Sequence, residues 1–187
     1  MRKPLIALML CSAMIGVVGI PQFALAQAAP PPDATAKVPS PPRTAEVSLS
    51  GATITIKYSA PSARGRTIFG GLVPYGEVWR TGANSATTLI TSSNLQIGDL
   101  SVPAGTYTLY SVPSQSGWQL VVNKQTGQWG TVYTKAQDLG RTTMSVGSNA
   151  SPVETFVIDF EKTSGGKTEL HLKWAGVDAS VPVTVAK

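Results

Sequence analysis

The strongest constraint on this chain is the period of its apolar residues, which is two wherever a period can be read. Ile54, Ile56 and Tyr58 alternate with Thr53, Thr55 and Lys57, as in a strand with one buried face. Thr87–Thr91 is a β-branched run around Leu89. Trp118, Leu120 and Val122 repeat the alternation, as do Phe156, Ile158 and Phe160. Val102-Pro103-Ala104-Gly105 and Gly165-Gly166 supply turns, the second leading into Leu170, Leu172 and Trp174. A last strand carries Val181, Val183 and Val185, with Pro182 expected at an edge position. A sustained 3.6-residue period is missing after the N-terminal segment; the best helical candidate is a turn or two at Thr134–Leu139. The expected fold is all-β: a β-sandwich of about eight to ten short, mostly antiparallel strands, with a β-barrel as the alternative.

The first residues have a different character. Arg2 and Lys3 precede an apolar run from Leu5 to Ile20, Pro21 breaks it, and Ala24-Leu25-Ala26 offers a small-x-small cleavage site. Residues 1–26 are therefore expected to be a signal peptide, and the protein to be exported, periplasmic or extracellular. The run approaches anchor length, but a processing site after the helix breaker favours cleavage, leaving no membrane span. Residues 27–43 read as a proline- and alanine-rich linker, and 44–187 as one β domain. Cys11 is the only cysteine and lies in the leader, which excludes thiol chemistry and cysteine-ligated zinc from the mature chain. The net charge of +5 falls to +3 without Arg2 and Lys3, with its basic residues scattered; nucleic acid is not an expected partner.

One segment breaks the alternation. Residues 59–85, SAPSARGRTIFGGLVPYGEVWRTGANS, hold five glycines and two prolines. A loop longer than about 15 residues in a compact domain is usually functional or mobile. This one carries Ile68, Phe69, Leu72, Val73, Tyr75, Val78 and Trp79, which are costly to leave in water, so it is expected to be ordered and folded back over the sandwich. It also gathers Arg64, Arg66 and Arg80 around one acid, Glu77.

The run GRTIFGGLVPYGEVWRTGAN with Ala86-Thr87, then VPAGTYTLYSVP and the Trp118 strand, resembles a bacterial family catalogued as domain of unknown function 2911. The resemblance extends from about Ser48 to the C-terminus. Matching positions include Gly65, Arg66, Phe69, Gly70, Trp79, Arg80, Gly82, Asn84 and Thr87. It implies an exported or envelope-associated β-rich domain and supplies no catalytic residue.

Two readings of that segment follow from its chemistry. Arg66 and Arg80 are fork-shaped donors, Tyr75 and Trp79 offer flat faces, and Asn84 a bidentate amide, a set suited to a sugar, a carboxylate or a peptide terminus. Alternatively Trp79 is a core plug, the arginines pair with Glu77 or cap carbonyls, and Asn84 serves a tight turn. Elsewhere the chemistry is sparse. His171, the only histidine, is expected to be a solvated strand residue, which leaves neither a Ser-His-Asp site nor a histidine metal site. Ser164-Gly165-Gly166-Lys167 imitates Ser-x-x-Lys, but two glycines between strands cannot form the helical turn that motif needs. No cofactor is expected. The function expected is a non-catalytic domain binding a small ligand, glycan or envelope protein. The alternatives are a carboxylate-dependent hydrolase of glycans or peptides, using Asp159 or Glu77, and a structural subunit.

Overall fold

A computed structural model of the chain describes residues 39–186. It has nine strands: β1 (Pro42–Leu49), β2 (Ala52–Ser59), β3 (Thr87–Thr91), β4 (Leu95–Ile97), β5 (Leu100–Val102), β6 (Gly105–Val112), β7 (Trp118–Asn123), β8 (Asp138–Ser164) and β9 (Lys167–Val185). The expected signal peptide and residues 27–38 of the linker lie outside the described residues. Pro42 and Arg43, assigned to the linker from composition, belong to β1 and pair with Ser59 and Tyr58. The helical candidate is a single 3-10 turn at Lys135–Gln137.

The strands form one antiparallel sheet in the order β1-β2-β3-β6-β7-β8-β9-β4-β5. It is open, so the barrel alternative does not apply. The sheet doubles over on itself, because β8 serves both halves. Its first part, to Met144, pairs with β7, and the rest, from Ser145, pairs with β9. A strand that changes partners in this way turns the corner between two packed layers. The layers meet where Tyr58 on β2 accepts a hydrogen bond from the Ile158 amide at 3.1 Å, although β2 and β8 are not sheet neighbours. Between them lies one core, filled by the period-two residues: Ile54, Ile56, Leu89, Leu109, Trp118, Leu120, Phe156, Ile158 and Trp174.

The sequence suggested two strands after the Gly165-Gly166 turn, where the structure has one long strand. The reason is a slip in the alternation. Core residues of β9 are even-numbered through Leu170, Leu172 and Trp174, and odd-numbered from Ala179 through Val181 and Val183. Ala175, at φ +49°, takes the left-handed turn that inserts the extra residue. Pro182 lies where β9 is paired only with β4, so its missing N–H interrupts no second ladder.

The slip also explains why His171 is not solvated. It places Asp178 on the same outer face, where Asp178 Oδ1 sits 2.8 Å from His171 Nδ1, and His171 is only 6% exposed. Glu169 and Glu161 face its other nitrogen at 3.4 and 3.7 Å. Lys173 bonds Asp159 at 3.2 Å and also Glu161, and Lys162 bonds Glu169 at 2.9 Å, which makes an ionic ladder across β8 and β9.

The Lys173 hydrogen bond holds the Glu161 carboxyl below its usual range. Burial alone would lower the Lys173 ammonium, but Glu161 and Asp159 outweigh it and raise it. A lowered carboxyl stabilises the fold above its unfolded pKa, and the benefit disappears as pH falls through the folded value. Glu161→Gln should therefore flatten the loss of stability between about pH 5 and pH 2, measured as urea midpoints across pH. The raised Lys173 acts at the other end, with its contribution fading only above about pH 10. An acid slope identical in the variant would mean that solvent screens the Glu161 pair completely.

Candidate functional site

The segment between β2 and β3 is ordered, and its apolar residues divide between core and surface. Ile68 and Val73 are buried, while Leu72, Tyr75 and Val78 are exposed. Its backbone is held internally: the Leu72 and Val73 amides donate to the Thr67 and Ile68 carbonyls at 3.0 and 2.9 Å. It is also tied to both neighbouring layers. The Ala63 amide donates to Glu154 O on β8 at 2.8 Å, and Trp79 exchanges two backbone hydrogen bonds with Ser111 on β6 at 2.8 and 2.9 Å. Thr81 is fully buried at φ +51°, with its hydroxyl 3.0 Å from that of Ser111. Gly82 follows at φ +155°, where a Cβ would stand 3.0 Å from both Ser59 O and Thr87 Oγ1. A side chain there would force the segment away from β2.

This anchoring opens a cavity of about 360 Å³, lined among others by Arg66, Leu72, Trp79, Arg80, Asn84 and Trp174. Four of the five residues expected to bind a ligand thus share one cavity. Tyr75 is not among them. Its ring lies over Gly70, where a Cβ would come within 2.7 Å of Cε2, so it closes the loop's own turn.

Trp79 forms one wall. Its ring stacks on Trp174 at 5.8 Å and 19°, and meets the edges of Phe69, Trp118 and Phe156 at 5.1–6.4 Å. Trp174 is itself buried, and its indole N–H donates to Glu154 O at 3.2 Å. The aromatic cluster extends into the core, so the cavity wall is rigid. Trp79 is thus half-buried, packed on the core as the plug reading expected, with part of its surface bordering the cavity.

The two cavity arginines differ. Arg66 donates from Nε to Ala63 O at 2.9 Å and from Nη2 to Ser62 O at 2.7 Å, capping the loop's own carbonyls. Arg80 makes no hydrogen bond or ion pair with the described residues, although it is half-buried. Glu77 is exposed and likewise forms no ion pair with the described residues, so the arginines do not gather around it as the sequence suggested. Arg80 instead rests its aliphatic stem against Gly130, where a Cβ would lie 2.4 Å from its Cδ. Asn84 adopts φ +57° and donates to Ser40 O at 3.4 Å, so it fits the tight-turn reading while also lining the cavity.

Arg66→Ala should cost about 1–2 kcal/mol, for two carbonyl caps lost at a largely exposed site. Arg80→Ala should change stability by less than about 1 kcal/mol, since only stem packing is removed. Guanidinium denaturation of both variants tests the contrast. A large loss in Arg80→Ala would make Arg80 an architectural residue.

Sequence reasoning missed the contributions of Trp174 and Thr131. Trp174 reads as an ordinary strand residue, and only the doubling of the sheet carries β9 to this loop. Thr131 belongs to the connection between β7 and β8, which reaches the cavity through the Gly130 amide bonded to Asn84 O at 3.0 Å and a bridge between Ser85 and Trp129. Nothing in the local sequence indicates that approach.

A family model described as protein of unknown function (DUF2911) matches residues 40–183. The chain belongs to the DUF2911 family. No curated protein and no solved structure is significantly similar to it. The match takes in all the cavity residues named above, as well as the Trp79–Asn84 signature on which the resemblance rested. Among the described residues of this DUF2911 chain, no helix is long and apolar enough to cross a membrane.

Proposed function

We propose that this protein is a non-catalytic, exported domain of the cell envelope that binds a ligand in the cavity between the 59–85 segment and the aromatic core. The observation that carries this reading is Arg80: a half-buried guanidinium in a walled cavity, without a partner among the described residues. Leaving a partly desolvated charge unpaired is unfavourable for folding alone, and functional residues commonly carry such a cost. Among the described residues no Asp or Glu lines the cavity, so they offer no acid to a hydrolase that would use a carboxylate beside Arg80. Asp159 is engaged with Lys173 in the ionic ladder.

Export is supported by the Arg2-Lys3 start, the apolar run and the Ala24-Leu25-Ala26 site. N-terminal sequencing of the protein recovered from the producing cells should begin at Gln27; a start at Met1 would remove export from the proposal. Binding is tested by titrating the purified protein with glycans, short peptides and organic acids while following tryptophan fluorescence and Tm. Trp79 and Trp174 line the cavity, so a bound ligand should perturb the emission. If no class moves either signal, the ligand-binding reading fails.

A further inference from the structure

We infer that the ligand of this cavity is an acidic sugar, a carboxylate-bearing pyranose at the end of or within a glycan. This rests on the ligand-binding reading above and names the chemistry of the same site. Charge comes first. Arg66 and Arg80 both line the cavity and, among the described residues, no carboxylate does, so those residues make it electropositive without a counter-charge of their own. Arg66 is fixed by its two carbonyl bonds, and the guanidinium of Arg80 is left to meet an oxyanion with two parallel N–H donors.

The second observation separates a sugar from a peptide. Extended peptides are held mainly through main-chain hydrogen bonds to free backbone groups. Here the amides of Arg66, Leu72, Val73, Trp79 and Ala83 donate within the protein at 2.8–3.1 Å. Those of Arg80, Gly82 and Asn84 have no acceptor among the described residues, but left-handed Thr81 and Asn84, at φ +51° and +57°, keep them from lining up as a strand edge. What the cavity offers a ligand is therefore mainly side-chain chemistry, with a few amides that form no strand edge: guanidinium, amide and hydroxyl groups beside an indole wall. A pyranose presents a flat C–H face to an aromatic ring and hydroxyls at its rim, which suits that set.

The third observation concerns length. Trp129, which bridges Ser85 beside the cavity, is 55% exposed. An indole left so far in water at the rim of a binding cavity fits a platform for the next sugar of a chain.

The test uses the full protein and isothermal titration with glucuronate-, galacturonate- and sialate-ended oligosaccharides, each beside its neutral methyl-ester counterpart. An acidic pentapeptide and acetate serve as further probes. At least one acidic glycan should bind, with its ester about tenfold or more weaker. Arg80→Ala should lose about tenfold or more at unchanged Tm. Trp129→Ala should weaken the oligosaccharide more than the monosaccharide. Equal binding of acid and ester, or binding that survives Arg80→Ala, overturns the inference, and equal effects of Trp129→Ala on both lengths overturn its extension to a chain. Binding of the peptide or acetate while every acidic glycan fails overturns the sugar but leaves the ligand-binding reading standing. If no probe binds and the broad panel above also fails, both fall together.

Discussion

Replacing Trp174 with alanine is expected to destabilise the protein by about 3–5 kcal/mol, the largest loss for any single side chain around the cavity. Trp174 is 1% exposed and stacks against Trp79, and it also packs against Phe69 and Phe156. Its removal leaves a void that stiff aromatic neighbours can fill only partly. It also strips the Glu154 carbonyl of its indole donor, leaving that oxygen only the Ala63 amide. Ligand binding should fall in the same variant, because the wall behind Trp79 is gone. Chemical denaturation with tryptophan emission reads both effects. Trp174→Phe should recover much of the stability, since it restores most of the volume but not the N–H. A Trp174→Ala loss below about 1 kcal/mol would mean that the cluster repacks freely and that the cavity is not rigid.

The second large effect should come from Asp138, which lies outside the cavity but controls one side of it. Its carboxylate accepts from Tyr133 OH at 2.6 Å, Asn123 Nδ2 at 2.8 Å and Arg141 Nη2 at 3.2 Å, and Arg141 also bonds Tyr133 OH at 2.7 Å. Burial pushes the Tyr133 phenol up, and the Asp138 hydrogen bond adds to this, so Tyr133 remains a donor well into alkaline pH. Asp138→Ala leaves three donors without their acceptor and should cost about 2–4 kcal/mol, less than a fully buried pair because Arg141 is partly exposed. Asp138→Asn keeps an acceptor and should lose roughly half as much. Because Asn123, Tyr133 and Asp138 bracket the connection carrying Trp129, Gly130 and Thr131, Asp138→Ala should also weaken ligand binding. Full stability in Asp138→Ala would show that the connection is held by Tyr110 and Gln128 instead, through Tyr110 OH to Val132 O at 2.7 Å and Gln128 to Tyr110 OH at 3.0 Å.

Much of the fold was legible because a strand half-buried on one face writes its environment directly into the sequence. Ile54, Ile56, Trp118, Leu120, Phe156 and Ile158 are all in the core that their alternation implied. What alternation cannot show is where it changes phase. Ala175 carries no sequence mark of a left-handed conformation, and without that slip His171 reads as a solvated residue and β9 as two strands. Order in the 59–85 segment was legible from its apolar content, yet the division of labour between its arginines was not. Arg66 finds its carbonyls three and four residues back, at Ala63 and Ser62, through a turn that the sequence does not announce. The absence of a Glu77 pair likewise depends on which way the loop turns. Trp174 and Thr131 reach the cavity only through the long-range path of the sheet, where local pattern carries no information.

The order in which the chain is made sets a limit on when it can fold. The strand nearest the C-terminus, β9, supplies Leu170, Leu172, Trp174, Val181 and Val183 to the core, and it joins β8 to β4. While β9 is still in the ribosome, the second layer lacks the strand that joins β8 to β4, β4 has only β5 beside it, and the back of the cavity lacks Trp174. The nascent domain therefore cannot reach its native state until β9 has emerged. Folding then has to bring together pieces that lie far apart in sequence, which makes it slow.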